Sequence, residues 1–342
     1  MLLKKFRPYF YIIAIILCAG QTNAQDINFS QFYELPMLRN PALAGIFAGD
    51  IRFSGIYRNQ WEAVTDPYRT FGIGGEYKKS FGDYSDNFLT FGLQATNDVA
   101  GDSRLTRTQL LPVMNFHKSL SGNSYLSAGI MAGVIFQHFD PSKLTFNDQF
   151  VNGAYSSTNP THQVFSNTSM TYRDISSGLS FSSDAGDDIH YYAGMAVFHI
   201  LQPKVAFQEQ YDVVLNRKWM FNLGCSAAFS SINKLTFYAD YFIQGGSRQG
   251  QGGVMITHDL SQFQDEAISI SGAFFYRFKD ALAPMVKVDY HKLGIGLSYD
   301  VNISKLKTAS QNRGGLELTL SYKTYRDNYN SSSNKTKCPV FF

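Results

Sequence analysis

The chain has little cysteine, little charge and no long apolar run. Cysteine occurs three times, at Cys18, Cys225 and Cys338, too sparsely and irregularly for a disulfide framework. Beyond the leader, no apolar stretch approaches the ~20 residues that a membrane-spanning helix needs. The seven histidines are scattered, and none forms the His-x-x-x-His pair that sets two metal ligands on one helical face. There is no Gly-x-Ser-x-Gly. The Gly-rich run at 71–75 lacks the spacing and the Lys-Ser or Lys-Thr of a phosphate loop. No cofactor or metal site is therefore expected, and no catalytic residue stands out. A Ser-His pair in a barrel wall stays open as a third, enzymatic reading.

Residues 1–24 read as a secretory signal. Lys4, Lys5 and Arg7 precede an apolar core from Phe10 to Cys18, and Thr22-Asn23-Ala24 supplies small residues before a cut. Leu17 is larger than the residue usually found before a lipoprotein cysteine, which disfavours Cys18 as an acylation site. Cleavage removes three positive charges, so the formal net charge falls from +3 to zero. A nucleic-acid partner is not indicated.

What remains is 15% aromatic, rich in glycine and only 17% charged, a profile that suits many strands and few helices. Apolar and small polar residues alternate through most of it. Leu89, Phe91, Leu93 and Ala95 oppose Thr90, Gly92, Gln94 and Thr96. Leu126, Ala128, Ile130, Ala132, Val134 and Phe136 oppose Ser127, Gly129, Gly133 and Gln137. Similar segments cover 51–58, 70–77, 175–181, 221–229, 268–278, 293–300 and 316–323. Weaker ones cover 108–116, 191–199, 235–243, 252–258 and 282–290. Pro112 suggests a bulge in the first of these.

The total is about fourteen strands, each near the ~9–11 residues of a tilted membrane strand and longer than the ~5–6 of soluble strands. The predicted fold is an all-β transmembrane antiparallel barrel, with apolar side chains on lipid and Gly, Ser, Thr and Asn inward. A soluble sandwich or propeller is the competing architecture. Phe71, Tyr77, Tyr125, Phe139, Tyr241, Phe278 and Tyr299 stand near segment ends, as the aromatic girdles of such barrels do.

Counting from a periplasmic start, the long connections 140–172, 201–218 and 301–314 all fall on the odd, outward side, and short turns on the even side. Phe146, Phe150 and Phe165 punctuate the first long loop, which could fill the lumen, meet a partner or rest on the rim. Asp300, Ser304 and Arg313 fall at the third. Arg313, Gly315, Leu318 and Leu320 have the polar-x-Gly-x-x-apolar-x-apolar spacing of signals read by the barrel-assembly machinery.

The stretch that follows the leader reads QDINFSQFYELPMLRNPALAG, residues 25–45. Pro41 biases Asn40 toward an extended shape, and the Asn40 side chain can bond nearby backbone. Gln31, Tyr33, Pro36 and the Asn40-Pro41-Ala42-Leu43-Ala44-Gly45 run resemble the mature start of PorP/SprF-type proteins. A second block strengthens the resemblance: Tyr299 to Leu306, Ala309-Ser310, then Arg313-Gly314-Gly315-Leu316-Glu317-Leu318. The tail Cys338-Pro339-Val340-Phe341 is a third, although Val340 stands where the family more often has a basic residue.

The resemblance implies a non-enzymatic outer-membrane component of the type IX secretion system. It would bind a secreted cargo or adhesin domain outside, contact secretion or gliding machinery on the periplasmic side, and sit in outer-membrane lipid. The implied divisions are signal peptide 1–24, periplasmic or lumenal segment 25–49, barrel 50–323 and periplasmic tail 324–342. Candidate partner-binding or structural residues are Gln31, Tyr33, Asn40, Pro41, Gly45, Asp300, Ser304, Arg313, Gly315, Glu317, Cys338 and Pro339. The alternative is a porin for small solutes.

Overall fold

The computed structural model describes residues 26–61, 66–81, 86–121, 123–186, 188–208, 211–261, 267–305 and 313–324. The signal segment, the tail with Cys338 and Pro339, and most of the connection after β15 lie outside the described residues.

Among the described residues, fourteen antiparallel strands close into a barrel. They are β1 (Ile51–Gln60), β2 (Tyr68–Ser80), β3 (Phe88–Ala100), β4 (Leu105–Ser121), β5 (Ser124–His138), β8 (Ser169–Ala185) and β9 (Ile189–Phe198). The others are β10 (Lys218–Ser230), β11 (Asn233–Gln244), β12 (Ser247–Asp259), β13 (Ile268–Arg277), β14 (Ala281–Tyr290), β15 (Leu293–Asn302) and β16 (Arg313–Thr324). Sequence neighbours pair throughout. The seam is β1 against β16, from Ile51 opposite Thr324 to Gln60 opposite Gly315. Closure leaves no free edge, which hydrocarbon would penalise heavily.

The pleat sends alternate side chains to opposite faces, and the two faces meet different media. On β5, Leu126, Ile130 and Phe136 are 44–47% exposed, whereas Ser127 and Met131 are at most 2% exposed. The same division recurs around the wall, where Phe71, Phe91, Phe221, Phe274 and Leu320 point outward. Water would disfavour so broad an apolar exterior; lipid accepts it. Tyr125 corrects one expectation. It lies on the polar row, is buried in the lumen and packs edge-on against Phe88, so it is no girdle residue. Pro112 corrects another. Pairing of β4 with β5 lapses at Leu111–Pro112 and resumes in unchanged register, because a missing N–H removes a ladder bond without requiring an extra residue.

The three longest connections, 139–168, 199–217 and 303–312, share one end, here the loop end. The turns at 122–123, 231–232 and 291–292 share the other with the start of β1 and the finish of β16. The 139–168 connection does not fill the lumen. It forms a small exposed hairpin, β6 (Phe150–Val151) and β7 (Ala154–Tyr155), turning through Asn152 and Gly153 in the left-handed region. Phe165 packs against Phe139 and Phe146, and Phe139 also meets Phe207 of the neighbouring connection. Two of the three predicted loop phenylalanines thus brace the rim, while Phe150 is 60% exposed.

Candidate functional site

The lumen is filled from within the chain. Residues 26–50 run from the loop end down to the opposite end, where Asp50 leads into β1. Three single-turn 3-10 helices, Phe32–Glu34, Pro36–Leu38 and Pro41–Leu43, fold this segment compactly. Pro36 and Pro41 each occupy a first helical position, where their missing N–H is harmless. Phe32, Tyr33, Leu35, Met37, Leu43 and Phe47 are at most 4% exposed. Tyr33 stacks against both Tyr238 and Phe275, with ring centroids at 5.1 and 5.6 Å.

A polar barrel lining around an apolar segment would leave backbone groups unsatisfied. The wall supplies the partners. Glu317 accepts from the backbone N–H of Ser30 at 2.8 Å and of Gln31 at 2.9 Å. Gln31 Nε2 donates to Ser298 Oγ at 3.1 Å, and Thr319 Oγ1 donates to Gln31 Oε1 at 2.9 Å. Asn115 Nδ2 donates to the carbonyls of Ala42 and Ala44 at 2.9 and 2.8 Å. Glu76 accepts from Gly45 N at 2.7 Å, and Lys78 Nζ donates to Phe47 O at 2.6 Å.

Asn40 performs the local role read from sequence and a second one that sequence left open. Its Oδ1 caps the Pro41–Leu43 turn by accepting from Ala42 N at 2.9 Å. Its Nδ2 reaches the strand carbonyls of Leu179 and Met195 at 3.1 and 3.2 Å. Gly129 lets the turn lie this close to β5, since a Cβ there would stand 2.5 Å from Ala42 N and 2.6 Å from Pro41 O. We expect Gly129→Ala to assemble but to melt with a loss of about 1–3 kcal/mol, read as a lowered heat-modifiability midpoint on gels. An unchanged midpoint would mean that the turn moves aside freely.

Buried charge is concentrated where segment and wall meet. Arg39 makes a bidentate pair with Asp240, at 2.8 and 2.6 Å, beneath the rings of Phe32, Tyr192 and Tyr238. Glu34 pairs with Lys287 at 2.7 Å. Asp300 binds Arg58 at 2.7 Å, Arg277 at 2.8 Å and the Ser30 hydroxyl at 2.5 Å. Arg58 also donates to the Asn28 carbonyl.

Asp26 anchors the loop end. Arg107 and His199 Nε2 lie 2.8 and 2.7 Å from its two oxygens, Lys218 lies at 3.6 Å, and His199 Nδ1 meets Asp174 at 2.7 Å. Burial alone would push the His199 imidazolium down, but Asp26 and Asp174 outweigh it and hold His199 up at about 9. Burial would likewise raise Asp26, yet His199, Lys218 and Arg107 hold it well below the usual carboxylate range. The His199 contribution is therefore complete below its ordinary value of 6.5 and lost as pH rises through about 9. The Asp26 contribution is complete above the ordinary 3.8 and lost only as pH falls through its depressed value. We expect hydrogen-exchange protection of residues 26–30, corrected for intrinsic rate, to drop above pH 9. His199→Asn should abolish that step; protection that stays level in the native protein would refute the anchor.

Of the residues singled out from sequence, Gln31, Tyr33, Asn40, Pro41 and Gly45 lie in the lumenal segment, and Asp300 and Glu317 face them from the wall. Residues some 290 positions apart are thus brought together, as in the Ser30–Glu317 bond. Asp300 belongs to β15, not to the loop, and Arg313 opens β16 opposite Val301. Ser304 lies beyond β15, with its N–H on Asn302 Oδ1 at 2.9 Å. Gly315 sits at the β1–β16 seam, where a Cβ would crowd Gln60 and the Asn59 carbonyl. Sequence reasoning missed Glu34, Arg39, Arg58, Glu76, Asp240, Arg277 and Lys287. Their signal is a charge in the inward row of a strand, or in an otherwise apolar segment, where an unpaired ion is costly.

A buried Ser-His pair does exist: Ser127 Oγ and His117 Nδ1 are 2.7 Å apart. The other ring nitrogen of His117 faces the Ala44 carbonyl at 2.9 Å. Both residues are at most 1% exposed beneath the segment, which leaves a substrate no access.

The model of the family described as "Type IX secretion system membrane protein PorP/SprF" matches residues 21–322. The chain belongs to the PorP/SprF family. This PorP/SprF protein is an outer-membrane β-barrel, so its long-loop end faces the exterior and its turn end the periplasm. No curated protein matches the sequence. Solved structures with similar folds include a Pseudomonas aeruginosa FadL homologue, at 9% identity over 85% of this chain and 94% of that one, with a TM-score of 0.49. The Pseudomonas putida toluene transporter TodX follows at 8% identity, 84% and 92% coverage and a TM-score of 0.48. The CymD monoaromatic hydrocarbon channel gives 8%, 86%, 94% and 0.44. At such identities none of their ligands carries over to the PorP/SprF chain.

Proposed function

We propose that this protein serves type IX secretion as a plugged docking barrel, holding a secreted cargo or adhesin domain on its outer loops and secretion or gliding machinery at its periplasmic mouth. The observation that carries the reading is the lumenal segment. It is tied to the wall by buried ion pairs and backbone bonds along its whole length, which suits a closed adaptor and disfavours steady solute flow. The brim supports the outer half of the proposal: Phe150, Val151, Tyr155 and Val164 are exposed apolar side chains on the longest loop, available to a protein partner. The chemistry is recognition, with no catalytic step.

The test is a deletion strain. We expect a type IX cargo to disappear from the cell surface and to return on complementation. Unchanged display and unchanged motility would sink the proposal.

A further inference from the structure

The periplasmic mouth contains a chamber of about 570 Å³ that neither the barrel nor the lumenal segment fills. Tyr33, Glu34 and Ala48 of the segment form part of it, with Tyr238 and Met255 of the wall. The rest of the lining mixes small residues such as Thr236, Thr257, Ser269 and Ser271 with a group of cations. Arg52, Lys234, Lys287, Lys292 and Lys323 all line it, and the acids among the lining residues are Glu34 and Asp289. Both acids serve Lys287, at 2.7 and 3.4 Å, and Arg52 is committed to Glu76 at 2.7 Å. Among the described residues, the ammonium groups of Lys234, Lys292 and Lys323 have no ion pair or hydrogen-bond partner. His291, at the β14–β15 turn, adds a further titratable group to the rim.

Several like charges around one cavity raise the energy of the empty site and attract a counter-charge. The sequence beyond Thr324 is a poor complement to such a cavity, with Arg326, Lys335 and Lys337 against one acidic side chain, Asp327. Apart from the terminal Thr324, the strand residues of the lining, Lys234 and Lys323 among them, are in the inward rows of β1, β11–β14 and β16, so the wall separates them from lipid headgroups. The chamber also has apolar and aromatic surface beside its lysines, which a bare inorganic anion would leave unused. We infer that this chamber is a binding site for an acidic peptide segment, its Asp or Glu carboxylates held by Lys234 and Lys323 and its side-chain carbons resting on Tyr33, Tyr238 and Met255. The inference rests on the docking reading above and gives its periplasmic partner a chemistry.

The test uses the full chain in a non-ionic detergent and a fluorescein-labelled Glu-rich heptapeptide, with its Gln counterpart as control. Fluorescence polarisation should show salt-sensitive binding of the Glu peptide alone. Lys234→Glu with Lys323→Glu should weaken it about tenfold or more, while Lys143→Glu on the outer loop leaves it unchanged. Gel heat-modifiability verifies the fold. Should the double reversal fail to assemble, Lys234→Gln and Lys323→Gln singly give the same reading at smaller amplitude. Absent binding, equal binding of the Gln peptide, or binding indifferent to these lysines overturns the site. Displacement by inorganic phosphate at lower concentration than by unlabelled Glu peptide overturns the peptide assignment. Peptide binding in a protein whose deletion leaves secretion intact would retain the site and remove only the secretion role.

Discussion

Deletion of residues 28–44 should turn an electrically silent barrel into an ion-conducting pore. Fourteen strands enclose more space than the eight whose interiors side chains can fill, and less than the sixteen of open porins. In this protein the difference is taken up by Phe32, Tyr33, Leu35, Met37 and Leu43, all of them buried. Without them the inward rows retain Arg58, Glu76, Asp240, Arg277, Asp300 and Glu317, which would rehydrate. Strand ladders hold the wall apart, because each strand is paired on both sides. Planar-bilayer recording of the purified proteins provides the measurement. Steady openings are expected from the deletion and none from the full chain. Equal conductance from both would mean that the segment does not seal the barrel, and would favour the solute-channel alternative.

Asp300→Ala should be the most damaging single substitution in the wall. The carboxylate is 1% exposed and lies against Arg58, Arg277 and the Ser30 hydroxyl. Its loss leaves two guanidinium groups facing each other in a space closed to water. Arg58 keeps the Asn28 carbonyl and, as its ionic partner, only the longer contact to Glu317 at 3.2 Å; Arg277 keeps the Ser30 hydroxyl at 3.1 Å and its pair with the more exposed Asp280. Removing one partner from a buried ionic group costs about 3–5 kcal/mol, so a large drop in the heat-modifiability midpoint or outright failure to assemble is expected. Asp300→Asn preserves shape without charge and should fall between the two. A midpoint equal to the native value for Asp300→Ala would mean that the guanidinium groups find water or other partners, contrary to the burial seen here.

These two experiments probe features of different legibility. The barrel could be read from sequence because lipid on one face and a polar lumen on the other impose the same two-residue period on every strand, whatever its partners. Leu126 to Phe136 against Ser127 to Gln137 is enough to orient β5 without knowing that β4 and β8 flank it. Connection lengths then fixed which end carries the large loops. The same rule misled at Tyr125. Its aromatic ring suggested the lipid interface, whereas its position in the row placed it inside, where Phe88 provides a partner.

The lumenal segment was only half legible. Asn40 and Pro41 announce a capped turn, since capping is a bond between neighbours in the chain. Where that turn comes to rest was not announced. Residues 26–50 have no period, and their partners Asp240, Asp300 and Glu317 are hundreds of residues distant; alternation sets such charges in the inward row without saying what they meet. The sequence alone therefore determined the strands, their facing and their order, because those follow from local alternation against two media. The tertiary structure alone decided that the barrel is filled by its own N-terminal segment and that a cationic chamber remains beneath it, because both depend on which side chains closure brings together in a space shut off from water.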